Sequence, residues 1–426
     1  MKSPILIISM CFLTLPLLIA QPQLRNYKTM DYMTFLRESN PSIANELARL
    51  ERDLSKNYLS DKIAQVTLPV VFHVLYSNDS ENITRANINR QLEILNADFS
   101  LQDEITDHIN DPKDEFSRRA SSSLLSFCRA SATPNNKITD GVNYVPVSTS
   151  EWISFTDMKS KKTGGVDPWN PDKYINIWIC NLPKDNAGFA QLPYGPKDLD
   201  GIVIDYTYFF GSRVDDPYAL GRTLTHLMGN YLNLYPLWGE VPCGDDYVDD
   251  TPVHNDINYG CPEGNHITAC RGNSLEMTMN FMDNTDDACT YMFTKGQMIR
   301  MQNTVLLKGT RHGLLNTPIV CTPLFIDTKI LKSNRTDDIQ VDDNLEETII
   351  FPNPVSNQIT IQFNKERSAD LQLQLVGNSG QILYRSIVPK GTINYSIDVK
   401  DMPNGVFIVR LSNNHYNFSR PIIKVQ

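Results

Sequence analysis

The sequence predicts an α+β protein in which a mixed sheet carries one buried central helix and a small all-β sandwich follows. Three observations predict this. Leu68-Pro-Val-Val-Phe-His-Val-Leu-Tyr76 is a continuous apolar, β-branched run of the kind that forms a buried strand, and Tyr174–Cys180 and Gly201–Asp205 repeat it. The stretch 220–238, LGRTLTHLMGNYLNLYPLW, places Leu220, Leu224, Leu227, Tyr231 and Leu234 at helical spacing. Beyond Pro318 the pattern changes to short strands separated by turn residues, the signature of a sandwich.

The chain has 426 residues, enough for two or three domains, and a formal net charge of −10, which argues against a nucleic-acid partner. Residues 1–20 read as a secretory signal peptide. Lys2 supplies the positive end, Pro4 to Leu18 is nearly all apolar, and Leu18-Ile19-Ala20 offers a small-residue cleavage site before Gln21. A transmembrane segment needs about 20 apolar residues, and no later stretch reaches that length. Export permits disulfides, and seven of the eight cysteines lie beyond the leader.

Residues 21–66 are polar, with helical spacing in Tyr32, Phe35 and Leu36 and again in Ile43, Leu47 and Leu50. The segment reads either as a helical arm or as a removable pro-segment. Ile88, Leu92, Leu95 and Phe99 mark an amphipathic helix after the first strand. His73, inside that strand, reads as a core histidine. Asp245, Asp246, Asp249, Asp250 and Thr251 gather oxygen donors that suit a hard cation such as calcium; the alternative is a solvated acidic loop. Residues 319–342 read as a charged, turn-rich linker and 343–426 as the sandwich.

Gly221-Arg-Thr223, His226, Gly229, Leu232-Asn-Leu234 and Trp238-Gly239 resemble the zinc-helix segment of the pappalysin (cytophagalysin) family of metzincin peptidases. The resemblance continues through Cys243-Gly-Asp-Asp-Tyr-Val-Asp-Asp-Thr-Pro252, Tyr259-Gly-Cys-Pro262, Met279-Asn-Phe-Met-Asp283, Thr285-Asp-Asp-Ala-Cys289 and Met292-Phe-Thr-Lys-Gly-Gln297, covering roughly residues 67–318. It implies a metzincin-like mixed sheet with an active-site helix, Met282 in the turn beneath the metal, and disulfides Cys243–Cys270 and Cys261–Cys289. It also points to Asp246, Asp249 and Thr251 as calcium ligands, and to Gly188-Phe189-Ala190-Gln191 as an edge strand for extended peptide. By residues alone, four cysteines allow three pairings, and Cys128, Cys180 and Cys321 remain to be assigned. Phe351-Pro-Asn-Pro-Val355 and Met402-Pro-Asn-Gly-Val-Phe-Ile-Val-Arg-Leu411 resemble the C-terminal sorting domain of the type IX (Por) secretion system, which implies that machinery as a partner and a secreted or cell-surface location.

The resemblance also marks losses. In H-E-x-x-H-x-x-(G/N)-x-x-H, two histidines four apart share a helix face, the Glu activates water, and a third His follows a turn. Here His226 keeps the first ligand position, while Leu227 stands at the base, Asn230 and Pro236 at the other two ligand positions, and Asn284 where the family places a transition-state tyrosine. Losing a general base alone forfeits roughly 10²–10⁴ in rate. The expectation is therefore a pseudopeptidase that holds peptide or protein and does not bind zinc, with calcium the candidate cation and His226 a leftover polar residue. The alternatives are an active zinc metalloendopeptidase whose metal site is rebuilt, His254 and His266 being the nearest candidates, and a purely structural surface protein.

Overall fold

The computed structural model describes residues 24–54, 66–101, 116–135, 137, 139–212, 216–262, 266–272, 274–306 and 311–316, with the C-terminal strands and turns between 348 and 424. The expected leader (1–20) and linker (319–342) lie outside the described residues.

The arm forms two helices, α1 (Thr29–Ser39) and α2 (Ser42–Leu54). The buried face of α1 is Tyr32, Met33 and Leu36, and Ile43, Leu47 and Leu50 of α2 are also buried, at the spacing the sequence shows. Behind them lies a six-stranded sheet: β1 (Val66–Tyr76), β2 (Leu125–Arg129), β3 (Val142–Pro146), β4 (Ile175–Cys180), β5 (Gly188–Ala190) and β6 (Ile202–Asp205). The order is β2-β1-β4-β6-β5, with β3 continuing the β2 side of β1. All pairings are parallel except that of β5, which runs antiparallel to β6. Pro69 sits within β1 without breaking it. The even-numbered N–H groups of β1 face β2 and β3, so the proline's missing donor falls on the β4 side, one residue before that ladder begins at Val70.

β2 and β3 carry no strong sequence signal. Leu-Ser-Phe-Cys-Arg and Val-Asn-Tyr-Val-Pro mix polar and apolar residues over only five positions each, and pairing with the long β1 is what makes them strands.

Helix α3 (Arg85–Ser100) is capped by the Thr84 hydroxyl, which accepts from the Asn87 N–H, and buries Ile88, Leu92, Leu95 and Phe99 against the sheet. The central helix α4 (Arg222–Tyr231) starts at Gly221, whose φ of +88° suits glycine, and is buried from Thr223 to Tyr231. Helix α5 (Lys295–Leu306) has its N-terminus held by Asp250, which accepts from the Thr294 hydroxyl (2.6 Å) and the Gly296 N–H (2.8 Å). Arg300 of α5 forks onto Glu51 of α2 at 2.7 and 2.5 Å, tying the arm to the body.

The C-terminal part builds two antiparallel sheets. One is ordered β10-β9-β12-β13 and the other β11-β8-β7, with the strands β7 (Ile349–Phe351), β8 (Gln358–Gln362), β9 (Leu371–Gly377), β10 (Ile382–Val388), β11 (Asn394–Asp398), β12 (Gly405–Asn413) and β13 (Tyr416–Lys424). Ile359, Ile361, Leu373, Leu375, Val409 and Leu411, alternating along their strands, meet in one apolar core. Among the described residues no helix is long and apolar enough to cross a membrane.

Candidate functional site

Helix α4 and the turn around Met282 form the floor of a cleft whose wall is β5. Gly229 faces Met282 so closely that an added Cβ would lie 2.6 Å from its Sδ, so the glycine is what lets the methionine pack beneath the helix. The helix ends at Leu232, and Asn233 adopts φ +78°, a left-handed turn that asparagine tolerates better than most residues. The Leu234 N–H returns to the Gly229 carbonyl at 2.9 Å and Arg300 Nε donates to the Asn233 carbonyl at 2.6 Å, which fixes the turn.

His226 is buried, and its Nδ1–H donates to the Phe281 carbonyl at 2.9 Å. That bond places the proton on Nδ1 and leaves Nε2 a bare lone pair, with no hydrogen-bond partner. Burial, reinforced by the nearby Arg25 charge, pushes the imidazole down to about 3, so it is neutral at any ordinary pH. Asn230 is fully engaged: Oδ1 accepts from the Thr29 hydroxyl at 2.8 Å and Nδ2 donates to the Leu234 carbonyl at 3.0 Å. Leu227 is buried, and an added Cβ on Gly188 would lie 2.7 Å from its Cδ1, so the residue at the base position packs directly under β5. Pro236 is buried and its carbonyl accepts from Gly239 N–H at 2.8 Å. Of the three expected ligand positions, only His226 presents a nitrogen lone pair.

The edge that the sequence presents as open to peptide is covered. Gly188, Phe189, Ala190 and Gln191 are all buried, because residues 25–29 of the arm run alongside them. Tyr27 pairs with Gly188 in parallel, the Lys28 N–H donates to the Gly188 carbonyl at 2.9 Å, and the Ala187 N–H donates to the Asn26 carbonyl at 2.8 Å. The Thr29 hydroxyl also accepts from the Ala190 N–H at 3.2 Å. This is β-augmentation by the chain's own segment.

Arm side chains 25, 27 and 29, at strand spacing, enter the cleft. The Arg25 guanidinium is buried. It pairs with Asp287 at 2.5 Å and donates to the Thr285 carbonyl at 2.6 Å, to Asn284 Oδ1 at 3.0 Å and to the Thr223 hydroxyl at 3.2 Å. Asn284 Nδ2 answers by donating to the Arg25 carbonyl at 2.7 Å. The other oxygen of Asp287 accepts from the Arg222 N–H at 3.1 Å, so one carboxylate both caps α4 and neutralises the arm. The Tyr27 ring stacks on the His226 imidazole, with centroids 3.7 Å apart and planes 9° apart. Arg25, Tyr27, Thr29 and Asp287 were not singled out from sequence. Asp287 lies in the family-like run 285–289, but the three arm residues carry no periodicity to find them by.

His254 and His266 sit in a polar cluster with Glu276 and Asp283. His254 Nε2 accepts from the Met277 N–H at 2.8 Å, and its Nδ1 lies 3.6 Å from Asp283 and 3.9 Å from Glu276. His266 lies 3.5 Å from Glu276. Asn258 Nδ2 bridges Glu276 and Asp283 at 2.8 and 2.9 Å, and the Asn284 N–H joins Asp283 to the methionine turn at 2.8 Å. Burial pushes Asp283 up to about 7 and His254 down to about 4. His73 is buried in β1 and hydrogen-bonds Asn176 at 3.0 Å, as a core histidine.

In the acidic loop, Asp246 and Thr251 come together, the hydroxyl donating to the carboxylate at 2.7 Å, while Asp249 is exposed. Burial raises Asp246 to about 7. Disulfides join Cys243 to Cys270 and Cys261 to Cys289. Cys128 is also disulfide-bonded and Cys180 is a buried free thiol. Among the described residues, no three His, Cys, Asp or Glu side chains are grouped to hold a metal ion.

A family model described as pregnancy-associated plasma protein-A (peptidase M43) matches residues 158–306, and one for the secretion system C-terminal sorting domain matches 349–425. A promirolysin mutant from Tannerella forsythia is 33% identical with a TM-score of 0.61, covering 68% of this chain and 96% of that one. Mature mirolysin in complex with a cleaved peptide, from the same organism, is 36% identical with a TM-score of 0.56, covering 60% and 97%. An extracellular metalloprotease of Arthroderma benhamiae is 27% identical over 275 residues, covering 62% of this chain and 79% of its own. The protein is exported, to the medium or the cell surface. With a metzincin fold built around α4 and Met282, and a structure 33% identical matched over nearly its whole length, the chain belongs to the pappalysin family of metallopeptidases and carries a type IX sorting domain.

Proposed function

We propose that this chain is a catalytically inactive pappalysin-family protein that works by holding an extended peptide segment. The observation that carries the reading is the arm itself, which lies along β5 and packs on His226, Asn230 and Asn284. Catalytic zinc takes three protein ligands and an open fourth position. One imidazole nitrogen beside leucine, an engaged asparagine and proline does not fit that requirement, and Leu227 cannot accept a proton from water. The mature cleft is read as peptide-holding, the acidic loop at Asp246 and Thr251 as a calcium site, residues 1–20 as a cleaved leader, and the type IX machinery as the export partner.

The bare Nε2 of His226 favours a second reading, an active zinc endopeptidase in which other residues complete the metal site. Zinc content after loading and dialysis, together with casein cleavage with and without chelator, separates the two. Substoichiometric zinc and no cleavage are expected. One tightly held zinc, lost on His226→Ala, with chelator-sensitive cleavage would overturn the inactive reading.

A further inference from the structure

Most of the altered positions of the cleft meet one partner; Pro236, whose carbonyl accepts from the Gly239 N–H, is the exception. Asn284 exchanges two hydrogen bonds with Arg25, His226 stacks on Tyr27, and Asn230 accepts from Thr29. Three of the positions that depart from the peptidase pattern, or are stranded by that departure, therefore each take up one of three alternating arm residues. Leu227, at the fourth, packs under the strand to which the arm is paired. Asn230 serves two partners at once. Its amide offers an acceptor to Thr29 and a donor to the Leu234 carbonyl at the same time. The stacked Tyr27 ring covers an imidazole that burial and the Arg25 charge keep neutral.

We infer that the arm is the resident ligand of this cleft and a permanent part of the folded protein, recognised through Arg25, Tyr27 and Thr29 as an Arg-x-Tyr-x-Thr segment whose aromatic ring stacks on the face of the His226 imidazole. The inference rests on the reading that the cleft holds peptide without metal, and deepens it by naming the occupant. It makes residues 24–54 a structural element of the exported protein. The anchoring continues beyond the cleft, through Tyr32 and the Arg300–Glu51 fork, as expected of a segment that is not discarded.

Two measurements test it. Intact mass of the exported protein is expected to show the arm retained. A mature N-terminus beyond residue 54, with no arm fragment co-purifying, would overturn the inference. The second introduces a specific protease site between residues 55 and 65 of the full chain, cuts it, and follows exchange of the resident arm for a labelled synthetic peptide of residues 24–54. Because substitutions are carried on the peptide, the folded body is unchanged. The unaltered peptide is expected to exchange in, and Tyr27→Ala and Thr29→Val peptides to compete at least tenfold more weakly. Equal competition by these variants, or by an unrelated extended peptide, sinks the recognition while leaving the peptide-holding reading intact. A cleft that has been emptied of the cut arm in mild denaturant and, once returned to buffer, takes up no peptide, its own included, sinks both. Cleavage of the peptide sinks the non-catalytic reading.

Discussion

Arg25 shows how a single residue can be decisive and still be invisible in the sequence. Its guanidinium is buried against Asp287, and removing one partner of a buried ion pair leaves the other charge without compensation. Arg25→Ala is expected to lower stability by about 3–5 kcal/mol, read from urea unfolding. Asp287→Asn should cost less than Asp287→Ala, because the amide oxygen still caps α4 through the Arg222 N–H. Nothing in the sequence around Leu24-Arg-Asn-Tyr distinguishes these residues from a solvated tail, since their partners lie some 200 to 260 positions away. His226, Leu227, Asn230, Pro236 and Asn284 were legible because they depart from a fixed pattern. What the pattern could not show is where their side chains turn in the fold.

Among the elements, α4, β1 and the C-terminal strands could be read directly, because buried helices and strands impose period and composition on the residues that form them. β2 and β3 could not, being made strands by the neighbour they pair with. The edge position of β5 was legible, but its cover was not, because pairing with the arm is a long-range backbone contact. The packing of α4 on the methionine turn gives a sharp expectation. Gly229→Ala drives a Cβ into Met282 Sδ, and overpacking of a close-packed core costs about 1–3 kcal/mol. Thermal unfolding should show the loss, and Met282→Ala introduced alongside should not add to it in full, because the two residues share one contact.

For the whole molecule, the buried titratable groups set opposing pH dependences. His73 and His254 are lowered to about 4 and His226 to about 3, each chiefly by burial. The unfolded chain takes up these protons first, so stability present above about pH 6.5 is lost as pH falls towards 4. Asp246 and Asp283, raised to about 7 by burial, act the other way. Each contributes stability below its unfolded value near 4 that is lost as pH rises through 7. Between pH 4 and 6.5 the three histidines outweigh the two aspartates by one group, so stability should rise with pH by a factor of about ten per unit in the folded-to-unfolded ratio. Asp246→Asn removes one opposing group and should roughly double that slope, in logarithmic terms, in metal-free urea titrations. An unchanged slope would mean that the aspartate is not held protonated in the fold.

Cys180 lies at the end of β4, in the apolar cluster that Tyr32, Met33 and Leu36 of α1 help to close. It is fully buried, and burial pushes its thiol well above the usual range, so an alkylating reagent reaches a reactive thiolate only when the cluster parts. The molecule thus contains its own clock for opening. The rate of Cys180 alkylation under native conditions counts how often this cluster parts, and substitutions that loosen its packing should quicken it.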